Sequence, residues 1–318
     1  MPVAAPTQES ADARPEGVVR DGYRWTPQSC PVCRAAPKKY VGRRGGAAHR
    51  EGLGVECEVW RCAGCGLLFP DPMPMPAGGL EQHYGLDPGE YFRNHETGGK
   101  VALGRGLLAH AERLTGGKGR VLDIGAGRGE LLKAAKEEGW EAVGIEPSPQ
   151  FAEWAARSSG AEVRCEPVER CEFAPGSFDV AILSGVLEHL YNPDQTIGAV
   201  SRTLRPGGAL FVDVPNESGL YFRLGNLYQR LRGRDWCVNL APTFEPYHVF
   251  GFGPRSLRAL LSKHGLAARD WRVYGGQAMV PNRGGVLGGL EQAAARAVSA
   301  LSNRGQLGTY IETWAVRR

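Results

Sequence analysis

The chain has 318 residues, 42% of them hydrophobic and 23% charged, with a formal net charge of +4. That length accommodates two domains, and the composition is that of a globular protein rather than a disordered or fibrous one. Lys and Arg are interspersed with Asp and Glu, so no basic stripe points to a nucleic-acid partner, and no stretch approaches the roughly 18 apolar residues needed to span a bilayer.

Residues 1–22 are rich in Pro, Ala, Glu and Arg and lack the apolar core of a signal peptide. They read as a flexible tail on a cytoplasmic protein with no membrane partner. Residues 24–76 form a Cys-rich unit. Cys30-Pro31-Val32-Cys33 and Cys62-Ala63-Gly64-Cys65 are two CxxC knuckles, and without a secretory context they indicate a metal site before a disulfide framework. Together they offer four thiolates, a closed tetrahedral set for a structural Zn²⁺. Cys57 stands nearby as an alternative ligand. Residues 77–117 read as a helical connector and cofactor lid that carries Tyr91.

From Arg120 short apolar runs alternate with helical patterns. Strands are expected at Val121–Ile124, Ala142–Glu146, around Val163, at Phe178–Leu183 and at Ala209–Val214. Helices are expected at Glu130–Glu138, from Pro149 to Gly160 and at Pro193–Leu204. This alternation predicts an α/β domain over 118–318, with a parallel sheet covered by helices on both faces. Ser218–Phe250 has no clean periodicity and reads as an insertion (216–252). A helix at Pro254–Lys263 and strands at Ala267–Tyr274 and Thr309–Val316 follow, with a second insertion at 276–304, a candidate dimer surface.

Three alternate glycines, Gly125, Gly127 and Gly129, lie between the first of these strands and its helix. Such a turn lets the backbone approach a ligand closely and presents helix N–H groups to it. Glu146 ends the next strand, where nucleotide-binding α/β folds place the carboxylate that grips ribose hydroxyls.

VLDIGAGRG, GIEPS, GSFDVAILSGVLEHL and LRPGGALFVDVPN, in that order, resemble the motif set of class I S-adenosylmethionine-dependent methyltransferases. The resemblance covers about residues 118–275 and implies a Rossmann-like seven-stranded sheet. It further implies that Asp123 organises a loop whose Gly125, Ala126 and Gly127 face the cofactor, and that Glu146 holds its ribose. Pro147, Val168 and Glu169 would frame the adenine, Ser184 would lie beside the methionine portion, and Tyr91 would close over it. A zinc ribbon ending in CGLLFPDP ahead of this domain resembles bacterial enzymes that methylate saccharides and secondary metabolites, in which the ribbon helps to shape the acceptor pocket.

The expected activity is therefore O-methylation of a small-molecule saccharide or natural product. His248 and His189 are the candidate bases or acceptor-orienting groups, and Tyr221, Phe222, Tyr228, Trp236 and Phe244 are candidate pocket aromatics, although such residues more often serve in ordinary packing. Two alternatives stand beside this reading: an rRNA methyltransferase with an N-terminal zinc module, and a non-enzymatic zinc-ribbon interaction protein. An Asn/Asp-Pro-Pro-Tyr-type motif is missing from Ser184-Gly185-Val186-Leu187, which weighs against the first.

Overall fold

A computed structural model describes residues 17–79, 100–275, 285–302 and 307–318. Tyr91, most of the expected tail and the opening of the second insertion lie outside the described residues.

Strands β1 (Val18–Arg20), β2 (Tyr23–Thr26), β3 (Lys38–Arg44), β4 (Cys57–Cys62), β5 (Leu68–Pro70) and β6 (Met73–Pro76) make two small antiparallel sheets, ordered β1-β2-β6 and β3-β4-β5. Helix α1 (Lys100–Thr115) follows. Next come β7 (Arg120–Ile124), α2 (Glu130–Glu137), β8 (Glu141–Ile145), α3 (Pro149–Ser159), β9 (Glu162–Arg164) and β10 (Phe178–Ser184). A 3₁₀ turn at Leu187–His189 leads to α4 (Pro193–Thr203), β11 (Leu204–Pro215), α5 (Leu220–Leu231), α6 (Pro254–Lys263), β12 (Leu266–Tyr274), α7 (Gly285–Ser302) and β13 (Tyr310–Arg317).

The large sheet is ordered β12-β13-β11-β10-β7-β8-β9. Its five strands from β7 to β11 are parallel, as the alternating pattern predicts. The C-terminal strands, to which the alternating pattern assigns no direction, complete it as a mixed sheet. β13 slots between β11 and β12 and runs antiparallel to both, pairing Ala209 with Val316 at one end and Pro215 with Tyr310 at the other. An apolar run announces a strand but carries no information on its direction.

Successive strand residues point to opposite faces, and the two faces build different cores. Val121, Val180, Ile182 and Phe211 pack with Leu108 and Ala111 of α1, Leu132 of α2 and Ala155 of α3. Leu122, Ile124, Leu183 and Val212 pack with Ile197 and Val200 of α4 and Leu257 and Leu260 of α6. Val32, Leu67, Phe69 and Met73 of the Cys-rich unit join this second core, together with Val249, Phe250 and Phe252. Leu68 and Gly251 exchange both backbone hydrogen bonds at 2.9 Å. The Cys-rich unit is thus stitched to the segment that carries His248.

The first insertion also departs from expectation, because a twelve-residue helix, α5, occupies Leu220–Leu231. Its Leu220, Leu224, Leu227 and Leu231 recur at helical spacing. The aromatic and Arg residues between them, and Gly225 in mid-helix, obscure that signal.

Candidate active site

A cavity of about 350 Å³ opens at the carboxyl edge of the parallel strands, the usual ligand position in open α/β sheets. Asp123, Gly125, Ala126, Gly127, Glu146, Pro147, Val168, Glu169, Ser184 and His189 all line it. Leu103, Gly104 and Leu107 of α1 form one wall, and Pro246, Tyr247 and Val249 of the first insertion form another.

The glycine turn is fixed by its neighbours. Gly125 has φ +74°, and an added Cβ would meet a Val186 methyl at 2.5 Å. Gly129 has φ +79°, and a Cβ there would lie 2.9 Å from the Ala155 backbone. Gly127 lies between them with nothing within 4 Å of its Cβ position, so the turn leaves a space on the cavity wall. Glu146 braces the turn from the adjacent strand. Its Oε2 accepts the Gly127 N–H at 2.9 Å and its Oε1 the Ser148 N–H at 3.0 Å. Burial pushes the Glu146 carboxyl up, while these two donors pull it down. Asp123 sits behind the turn with its carboxyl pushed up to about 8, first by burial and then by Glu146 and Glu130. Across the cavity, Glu169 accepts a hydrogen bond from the Thr196 hydroxyl at 3.2 Å.

The two histidines meet. Their rings form an edge-to-face pair with centroids 4.9 Å apart. Only His189 lines the cavity; His248 lies behind it. Burial and the neighbouring His189 push the His248 imidazole down to about 3, so it is neutral. His189 Nδ1 lies 3.3 Å from the Tyr247 carbonyl oxygen.

Glu188, absent from the sequence-derived site, completes the group. Its Oε1 lies 3.9 Å from His189 Nε2 and 4.0 Å from His248 Nε2, while Oε2 is buried with no hydrogen-bond partner among the described residues. Burial, followed by the charges of Asp213 and Glu217, pushes its carboxyl up to about 8. The Glu188 carbonyl accepts the Val249 and Phe250 N–H groups at 2.9 and 3.1 Å. One residue therefore ties the 3₁₀ turn to the His248 segment. The Glu-His dipeptide was visible in the sequence; its meeting with a histidine some sixty residues later was not.

In the Cys-rich unit the thiols of Cys30, Cys33, Cys62 and Cys65 lie within 4.8 Å of one another. The closest pairs are Cys30–Cys65 at 3.5 Å and Cys33–Cys62 at 3.4 Å. Cys57, the alternative ligand, instead donates to the Arg44 carbonyl and is not in the cluster.

A family model for the methyltransferase domain matches residues 97–270, more than half of the chain. The chain belongs to this methyltransferase family. Its sheet and glycine turn are those of the class I, S-adenosylmethionine-dependent members. The chain is similar to a ubiquinone biosynthesis O-methyltransferase of Xanthomonas euvesicatoria pv. vesicatoria, 31% identical over 157 residues, covering 48% of this chain and 64% of that one. It is also similar to the Agrobacterium fabrum protein of the same name, 35% identical over 134 residues, covering 41% and 51%. The chain thus spans less than two thirds of the length of either relative. Among solved structures, a SAM-dependent methyltransferase from Archaeoglobus fulgidus is 20% identical, with 72% of this chain and 97% of that one covered and a TM-score of 0.48.

Within this methyltransferase, the candidate aromatics serve in packing away from the cavity. None of Tyr221, Phe222, Tyr228, Trp236 and Phe244 lines the cavity. Phe244 packs at a tilt against His49 and lies under Arg44, Trp236 lies under Arg234, and Tyr228 is exposed. Aromatic content alone does not tell a pocket wall from the packing between the Cys-rich unit and the insertion.

Proposed function

We propose that the protein transfers a methyl group from S-adenosylmethionine to an oxygen of a small-molecule acceptor, a saccharide or natural product. The observation that carries this reading is a cavity shared by the glycine turn, Glu146 and His189, with His248 packed against the His189 ring. The names of the relatives support oxygen as the acceptor atom. The pairing of a Cys-rich ribbon with this domain supports the acceptor class.

The residues present suit the cofactor. The open space at Gly127 admits a ligand against the backbone, and the carboxylate of Glu146 is fixed by two N–H donors where it can accept hydroxyl hydrogen bonds. Asp123, Gly125, Ala126, Gly127, Glu146, Pro147, Val168, Glu169 and Ser184 would hold the group, with Tyr91 a further candidate. When bound, it supplies an electrophilic methyl group on a sulfonium. Displacement there is in line, so holding the acceptor in near-attack geometry supplies much of the rate.

The histidines prepare the acceptor. A proton on His189 Nδ1, given to the Tyr247 carbonyl, leaves Nε2 as the basic atom. Nε2 takes the proton of the acceptor hydroxyl, and the imidazolium that forms faces the Glu188 carboxyl. His248, kept neutral, backs the ring and fixes its tilt. Replacing His189 with alanine is expected to lower kcat by about 10²–10⁴-fold, the usual share of general-base catalysis, with cofactor affinity changed less than threefold. A labelled-methyl assay over phenolic, sugar and amine acceptors, paired with calorimetry, reads both quantities. Full turnover in the variant would remove the histidine from the mechanism.

Glu188 acts through the histidines as a positioning residue. Its proton is held in the fold up to about pH 8 but released near an ordinary carboxyl value on unfolding. The folded state therefore binds more protons in that window, and stability falls as pH rises through it. Glu188→Gln is expected to remove this contribution, so the variant's Tm should gain on the wild type between about pH 5 and pH 8. The same variant should lower kcat without raising the KM for cofactor. Parallel melting curves at both pH values would show that Glu188 is not the titrating group.

We further propose that Cys30, Cys33, Cys62 and Cys65 hold a structural Zn²⁺. A tetrahedral shell with Zn–S near 2.3 Å places its sulfurs about 3.8 Å apart, and the observed spacings lie close to that value. The shell is complete with four thiolates, so the ion would staple the fold and take no part in the chemistry.

A further inference from the structure

Helix α5 buries none of its residues, although it is strongly amphipathic. Its inner side carries Phe222, Gly225 and Asn226, with Gly225 pressed against Val238. Its outer side carries Leu224, Leu227, Tyr228 and Leu231, exposed to 41%, 50%, 47% and 78%. Spacings of three, four and seven residues place these side chains on one face of a helix. Leaving a contiguous leucine stripe in water is unfavourable, and such patches mark interaction surfaces.

The charges around the stripe say what it meets. Arg223 and Arg230 flank it along the same helix, and Arg232 and Arg234 follow at its C-terminal end. Among the described residues none of these four arginines is in an ion pair. Arg230 donates to the Val41 carbonyl, Arg232 to the Tyr228 hydroxyl, and Arg234 lies over Trp236. The nearby acid, Asp235, is engaged by Arg43 and Tyr40. A second copy of this chain laid against the stripe would bring arginines against arginines. An anionic lipid surface would instead accept leucines into its acyl boundary and arginines at its phosphates.

We propose that the outer face of α5 is a peripheral docking surface for anionic membranes. It lies on the bilayer and does not cross it. This refines the expectation of no membrane partner, which rested on the absence of a spanning segment. No described helix is long and apolar enough to cross a membrane, and an interfacial helix needs no such length.

Co-sedimentation of the full chain with vesicles tests the proposal. The wild type should pellet with phosphatidylcholine vesicles that contain phosphatidylglycerol, and not with phosphatidylcholine alone. Raised salt should weaken that binding, because exposed charges are screened. The double variant Leu227→Glu/Leu231→Glu should lose about tenfold or more in partitioning, since it removes apolar contact and adds charge repelled by the lipid. Its S-adenosylmethionine affinity should match the wild type, which reports an intact fold and separates this test from that of the catalytic reading. No binding of the wild type to anionic vesicles would overturn the proposal. So would a wild-type dimer that the double variant splits, because the stripe would then belong to a second copy.

Discussion

A Glu146→Ala variant is expected to bind S-adenosylmethionine about 100-fold more weakly than the wild type. Glu146 accepts the N–H groups of Gly127 and Ser148 through different oxygens, so its loss frees the glycine turn and also removes the acceptors for ribose hydroxyls. Hydrogen bonds to charged groups contribute about 1.5–3 kcal/mol each, and losing two such interactions accounts for the expected factor. Glu146→Gln keeps the shape and an acceptor oxygen, but gives one of the two N–H donors an amide nitrogen to face. It should fall between the two. Calorimetric titration of both variants measures the effect. An affinity for the alanine variant within threefold of the wild type would remove Glu146 from the cofactor site.

The second large effect is expected at the cysteine cluster. Structural zinc in small modules is worth about 10–16 kcal/mol of folding free energy, comparable to the whole stability of an ordinary domain. Cys62→Ser/Cys65→Ser should abolish zinc retention and lower Tm by more than ten degrees, the order expected when several kcal/mol are lost. Chelation should destabilise the N-terminal unit while leaving most cofactor binding intact, and the shared core carries its effect to the acceptor side. Val32, Leu67, Phe69 and Met73 pack with Val249, Phe250 and Phe252, so losing the cluster should disturb the His248 segment and reduce acceptor turnover more than cofactor binding. Metal analysis with scanning calorimetry checks the first part, and paired turnover and binding measurements check the second. A zinc-free protein with an unchanged Tm would refute the assignment.

Much of this cavity is legible in the sequence. The run from Val121 to Glu146 spells strand, turn, helix and strand in local patterns, and local patterns survive folding because backbone geometry imposes them. The turn at Gly125 and Gly129 needs residues without a Cβ for steric reasons visible in the sequence as alternate glycines. The paired CxxC knuckles were equally plain, because each is a local device. What escaped notice depends on long-range contacts. Nothing near Glu188 announces that His248 comes to rest beside it, since the loop from Tyr247 to Gly251 is placed by its ladder to Leu68. The antiparallel setting of β13 is likewise a matter of how the chain returns to the sheet. The helix at Leu220–Leu231 is obscured for a different reason, the aromatic and Arg residues and Gly225 that interrupt its leucine spacing.

The paired hydrogen bonds between Leu68 and Gly251 carry a thermodynamic consequence. If the metal knuckle orders the wall that holds the acceptor, each ligand alters the free energy of binding the other, and that coupling is reciprocal. An acceptor that fits the wall must then raise the affinity for zinc, read by competition with a chelator at equilibrium, by the factor through which zinc tightens acceptor binding. The true substrate should therefore announce itself as the compound that best protects a metal it never touches.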